Sequence, residues 1–151
     1  MAQADIQLQI PSAAFYIEPV RAFVGNLAQS LGFPRKRVAD IQLVLDEICS
    51  NAVHHGSADT TVGVKLCIRI GTDALEILVR DTGARQAEEK NWLTHERLWE
   101  IEMNRSPSNE SGHGIFIAKS LADMHEMRPN EVGGTDVRVA FRFSKPRDTE
   151  I

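Results

Sequence analysis

The sequence predicts an α/β (α+β) two-layer sandwich, a mixed and mostly antiparallel sheet covered on one face by three helices. Three observations carry this expectation. Alternating apolar segments are interleaved with stretches of helical period in the order β-α-α-β-β-(long polar loop)-α-β. The second and third strand segments are separated only by Gly71-Thr72-Asp73, a hairpin link that makes neighbouring strands antiparallel. Finally, 42% apolar and 25% charged residues in 151 give enough material for one core, and the whole chain reads as a single domain.

The first strand is IQLQI, with Ile6, Leu8 and Ile10 on one side. Pro11 and Ser12 break it. From Ile17 the apolar positions Val20, Phe23, Val24, Leu27 and Leu31 follow the spacing of an amphipathic helix. Gly32 and Pro34 stop that helix and start the next, which runs from about Pro34 to His55. VGVKLCIRI then places Val62, Val64, Leu66, Ile68 and Ile70 on one face, and ALEILVR does the same with Leu75, Ile77 and Val79. Residues 85 to 111 are polar and unpatterned apart from a short helical stretch around Thr94 to Met103; so long a connection suggests function. GIFIAKSLADMHEM reads as a helix with Ile115, Ala118, Leu121 and Ala122 inward. Gly133-Gly134 leads into the last strand, where Val137, Val139, Phe141 and Phe143 alternate, and residues 144 to 151 form a polar tail.

The bulk chemistry excludes several classes. A net charge of -4 lacks the basic excess of a nucleic-acid binder. Cys49 and Cys67 are isolated in apolar runs and read as buried reduced thiols. There is neither an apolar run of membrane-spanning length nor a signal-like start, so a cytoplasmic protein away from the membrane is expected.

The polar residues on the second helix raise the functional question. With Ile48 as reference, Val38, Ile41, Val44, Leu45 and Ala52 share one face. Glu47 and Asn51 lie one turn apart on the edge of that stripe, whereas Asp46 falls on the outer face. Such a pair either solvates the helix edge or borders a pocket. His54 and His55 favour the helix's negative end and point too far apart to share a metal. Asp81, in RDTG, stands at a strand end where Gly83 permits a turn. SGHG at 111 to 114 sets two glycines before a helix, an arrangement that lets N–H groups approach an anion. GGT at 133 to 135 reads alone as an ordinary turn.

In order, these motifs are E-x-x-x-N-A, D-x-G, a long polar loop, G-x-G and G-G-T before a strand. From about Ile6 to Phe143 the chain resembles the GHKL superfamily of ATPases and kinases, whose domain is the Bergerat ATP-binding fold, and within it the bacterial anti-sigma factor serine kinases. The resemblance implies ATP and Mg²⁺ as cofactors. It makes Glu47 the general base, Asn51 the Mg²⁺ ligand, and Asp81 the acceptor for the adenine amino group, with Gly83 beside the base. It further makes 85 to 111 the ATP lid, with Gly112, His113 and Gly114 closing over the phosphates, and gives Thr135 a supporting role through its hydroxyl. Ala84, Arg85 and Gln86 depart from the family, which often has a further glycine or an aromatic residue there.

The implied activity is an ATP-dependent protein serine kinase that phosphorylates a STAS-type anti-anti-sigma protein and sequesters a sigma factor, as a homodimer. The alternative is an ATP-binding partner-switching module that sequesters a regulatory protein without phosphate transfer. A histidine-dependent hydrolase using His54, His55, His113 and His125 has little spacing logic behind it.

Overall fold

The computed structural model describes residues 4–56, 63–83 and 113–145, without the side chains of 55, 56 and 113–116. Strand β1 (Ala4–Ile10) and a short 3₁₀ turn (Ala14–Tyr16) lead into helices α1 (Ile17–Ser30) and α2 (Arg35–Asn51). A wider π-type turn, Ala52–Gly56, ends α2. The strands β2 (Val64–Ile70) and β3 (Ala74–Arg80) follow, then helix α3 (His113–Leu121) and strands β4 (Met124–Pro129) and β5 (Thr135–Arg142).

The strands form one sheet in the order β1-β2-β3-β5-β4, and all four pairings are antiparallel. Register explains the core. Leu8 opposes Leu66, Leu66 opposes Val79, and Val79 opposes Val137, so one apolar row crosses four strands. Ile6, Ile68, Ile77 and Val139 form the next row. Because the side-chain period is two, these rows share the face covered by the helices. From α1, Val20, Val24 and Ala28 are buried against that face, and from α2, Ile41, Val44, Leu45 and Ile48. The row Gln7, Cys67, Leu78 and Arg138 lies on the opposite face. Cys67 is consequently only half-buried, whereas Cys49 is buried as expected and its thiol is pushed up to about 12 by burial and then by Asp46.

Besides the burial of Cys67, three expectations are corrected. Phe23 belongs to the apolar stripe of α1 by spacing but is 41% exposed, because the stripe is wider than the surface its neighbours cover. Asp46 does not face outward: it is half-buried and accepts a hydrogen bond of 3.1 Å from Arg21 of α1. The third correction concerns GIFIAKSLADMHEM. The helix stops at Leu121, and MHEMRP becomes β4, paired with β5 from Met124↔Ala140 to Pro129↔Thr135. Local helix propensity loses here to a complete ladder of tertiary hydrogen bonds.

Asp123 makes the switch from helix to strand. Its N–H donates to Ala140 O at 2.9 Å, and its Oδ2 accepts from the Arg142 N–H at 2.7 Å and from Arg37 Nη2 at 2.8 Å. Burial alone would raise its carboxyl, but these donors outweigh it and hold Asp123 below the usual carboxylate range. Arg37 extends the joint. Its Nη1 donates to Leu121 O at 2.6 Å, satisfying a carbonyl that the end of α3 leaves without a helical partner. The guanidinium also lies 5.1 Å from the centre of the Phe141 ring. One side chain on the first turn of α2 therefore ties α2 to the end of α3 and to the sheet. Replacing Arg37 with Ala should lower unfolding stability by about 1–3 kcal/mol, read as a lower urea midpoint at unchanged slope.

Candidate functional site

The site begins where β3 runs out. Asp81 follows Arg80 directly, is 6% exposed, and continues the pairing with β5 for one step by donating its N–H to Thr135 O at 3.1 Å. Its side-chain Oδ1 accepts two main-chain hydrogen bonds, from Gly83 N at 3.0 Å and Thr135 N at 2.9 Å. Thr135 thus reaches Asp81 through its backbone. The carboxyl is pushed up to about 6, chiefly by burial, against the lowering effect of those two N–H groups; Asp136 adds a smaller upward push.

The glycines make this packing feasible. Gly83 has φ +100, and a Cβ there would stand 2.3 Å from Gly133 O. A Cβ on Gly134 would stand 2.2 Å from Asp81 O and 2.5 Å from Asp81 Oδ1. The strand end carrying Asp81 and the glycine turn before β5 are therefore in backbone contact, at a distance only glycine permits. D-x-G and G-G-T are two halves of one structure.

Four residues not singled out by sequence complete it. Asn130, at the start of the β4–β5 turn, donates through Nδ2 to Asp81 O at 2.9 Å and to Asp136 Oδ1 at 3.0 Å. Its Oδ1 accepts from Val132 N at 3.2 Å and Gly134 N at 2.8 Å. Arg80 holds Asp136 in a bidentate pair, with Nε at 2.9 Å and Nη2 at 2.8 Å, and reaches Glu131 at 2.6 Å. A signal for Asn130 was present, since asparagine ahead of Gly-Gly favours a turn in which its side chain bonds the backbone two residues on.

Glu47 and Asn51 form the second group. Both lie on α2, one turn apart and half-buried, as the helix-edge reading expects. The π-type turn begins immediately after Asn51, and His54 is exposed within it. Helix α3 packs along α2, and its backbone opens at His113-Gly114. Gly112 and the lid at 85 to 111 lie outside the described residues, as do Ala84, Arg85 and Gln86. Among the described residues no group of three or more His, Cys, Asp or Glu stands ready to hold a metal. A cation held by the Asn51 amide oxygen together with phosphate oxygens and water needs no such cluster.

Residues 10–141 match the family model of the histidine kinase-like ATPase domain. The chain belongs to that family. The GHKL resemblance carried by the motif order is thereby shown, and the antiparallel sheet with helices on one face is its Bergerat fold. Among curated relatives, the serine-protein kinase RsbW of Bacillus cereus strain Q1 is 25% identical over 118 residues, covering 78% of this chain and 73% of the relative. RsbW of Bacillus mycoides strain KBAB4 is 25% identical over 121 residues, with the same coverage. Two solved structures share the fold. The structure of the RsbU and RsbW domains of Rv1364c from Mycobacterium tuberculosis superposes with a TM-score of 0.66 at 19% identity, covering 98% of this chain and 35% of that one. A chain of the SiaB-SiaC complex from Pseudomonas aeruginosa gives 0.60 at 11% identity, covering 91% and 89%. Among the described residues no helix is long and apolar enough to cross a membrane.

Burial of Asp81 has a measurable consequence. Its carboxyl goes from 3.8 in an ordinary setting to about 6 in the fold, so the folded state holds this proton more tightly than the unfolded chain. The stability it contributes is present below the lower value and is lost as pH rises through the upper one. Asp81→Asn keeps an oxygen for the two N–H groups and removes the titration. Urea unfolding from pH 4 to pH 7 should show the wild type losing stability relative to this variant, by at most about 1.4 kcal/mol per pH unit between those values.

Proposed function

We propose that the chain is an Mg-ATP-dependent protein serine kinase acting as an anti-sigma factor, which phosphorylates a STAS-type anti-anti-sigma protein and sequesters a sigma factor in the cytoplasm. The observation that carries the nucleotide part is the buried Asp81 carboxyl at the strand end, oriented through Oδ1 by two backbone N–H groups. Oriented in this way, the carboxylate is suited to accept a hydrogen bond from an exocyclic amino group, as adenine offers and guanine does not at that position. The relation to serine-protein kinases named RsbW supports the choice of a serine hydroxyl as acceptor.

Bound ATP supplies the transferable γ-phosphoryl group, and Mg²⁺ neutralises the charge that develops on it. The protein's part is positioning and proton handling. Glu47 takes the proton of the attacking serine hydroxyl onto its carboxylate, and Asn51, one turn later, presents its amide oxygen to the cation. Asp81 fixes the base, and Gly83 lets the chain lie close to it. His113 and Gly114 open α3, where the helix end favours negative charge, and present main-chain N–H groups to the phosphates, a role the motif assigns to Gly112 as well. Thr135 supports Asp81 through its backbone N–H, and its hydroxyl is left to support the base. Two copies of the chain form the working unit.

The competing reading, an ATP-gated module that captures its partner without transferring phosphate, differs in one residue's role. If Glu47 is the base, Glu47→Ala should retain ATP binding and partner capture while phosphoserine formation on the STAS-type antagonist drops by about 100-fold or more. Phosphotransfer at the wild-type rate in this variant would remove Glu47 from the chemistry. Capture with no phosphotransfer by the wild-type protein would establish the switching module instead. ATP binding should also weaken as pH falls below about 6, where protonated Asp81 becomes a donor facing another donor.

A further inference from the structure

Asn130 has a hydrogen-bonding pattern that a turn residue does not need. Its Oδ1 bonds to Val132 N and Gly134 N close the turn, and those two would suffice for that purpose. Yet both amide hydrogens are also used, one on Asp81 O at 2.9 Å and one on Asp136 Oδ1 at 3.0 Å. The amide can satisfy these four partners in only one orientation, with two N–H donors at its oxygen and two acceptors at its nitrogen. Asp136 is in turn held by the bidentate Arg80. The side chain is thus a fixed bracket between the strand end and the glycine turn.

Its reach to Asp81 O matters because of what else holds Asp81. The N–H is fixed on Thr135 O, and Oδ1 is fixed by Gly83 N and Thr135 N. The carbonyl is the remaining main-chain polar group of the residue, and Asn130 takes it. Asn130 also holds the Gly134 N–H, next to the Thr135 N–H that aims the carboxylate. A change at residue 130 therefore acts on both ends of the lever that sets where the carboxyl points.

We propose that Asn130 is a positioning residue for base recognition, setting the aim of the Asp81 carboxylate and so the preference for a purine bearing a 6-amino group. The inference rests on the reading of Asp81 as the adenine acceptor. Small displacements of a recognition group are costly, so its supports control selectivity without touching the ligand.

The test measures affinities for ATP and for purine riboside triphosphate, which lacks only the 6-amino group, by titration calorimetry on the full chain. Wild type should prefer ATP. In Asn130→Ala the preference should fall by about tenfold, mostly through weaker ATP binding, with purine riboside triphosphate little changed. Asn130→Asp keeps the Oδ1 acceptor but sets an oxygen against Asp81 O and Asp136, and should lose as much. Asn130→Ser, a smaller lesion, should give an intermediate loss, and thermal melts establish that each variant is folded. Equal weakening of both triphosphates, or an unchanged preference in folded variants, would overturn the role of Asn130 while leaving that of Asp81 intact. Unfolding of all three variants would also overturn it, making Asn130 a folding residue. Absence of any preference in the wild type would instead remove the Asp81 reading on which the inference rests.

Discussion

A single close approach organises this molecule: the backbone after β3 lies against the glycine turn before β5, with no room for a side chain between them. Gly83 and Gly133 meet on one side, and Gly134 and Asp81 meet on the other. The approach puts two N–H groups on one carboxylate oxygen and buries that carboxylate with its aim fixed. Burying a carboxyl is unfavourable unless it is hydrogen-bonded, and here the main chain supplies the bonds. The Asp81 carboxyl is raised nonetheless, so desolvation wins over the donors. A residue kept at such a disadvantage inside a well-packed sheet is more readily explained by recognition than by stability.

The second group of candidate residues depends on a different joint. Glu47 and Asn51 are placed by α2, whose inward face is set by Ile41, Val44, Leu45 and Ile48. Arg37, at the start of that helix, anchors the end of α3 and the first residue before β4. The helix proposed to carry base and metal ligand, and the helix proposed to meet the phosphates, therefore share a rigid connection at the end away from the site. Arg80 with Asp136 provides a comparable support behind Asp81.

Much of this was legible in the residues alone. Period-two alternation located β1, β2, β3 and β5, and Glu47 and Asn51 could be placed on a helix edge because a helix face is fixed by spacing. β4 was not legible. ADMHEM carries good helix formers, and what converts it to strand is non-local: the Arg142 N–H, Arg37 and a ladder with β5. The depth at which Phe23 and Asp46 sit was likewise hidden, since it depends on how α1 meets its neighbours. Asp81 and Thr135 were individually visible, but their union through Gly83, Gly134 and Asn130 required the strand order β3-β5-β4, which spacing alone does not specify. Asn130 was missed because its turn chemistry reads as local, while two of its four bonds serve residues far from the turn or in the next strand.

In the proposed nucleotide site the oriented carboxylate at the end of β3 recognises the base, and the phosphate end lies at Asn51. A crystal structure of the chain with Mg²⁺ and a non-hydrolysable ATP analogue tests it most directly. The adenine amino nitrogen should lie within hydrogen-bond distance of the Asp81 carboxylate, and the Asn51 amide oxygen in the coordination shell of the ion. A nucleotide bound elsewhere, or one whose base does not meet Asp81, would contradict it.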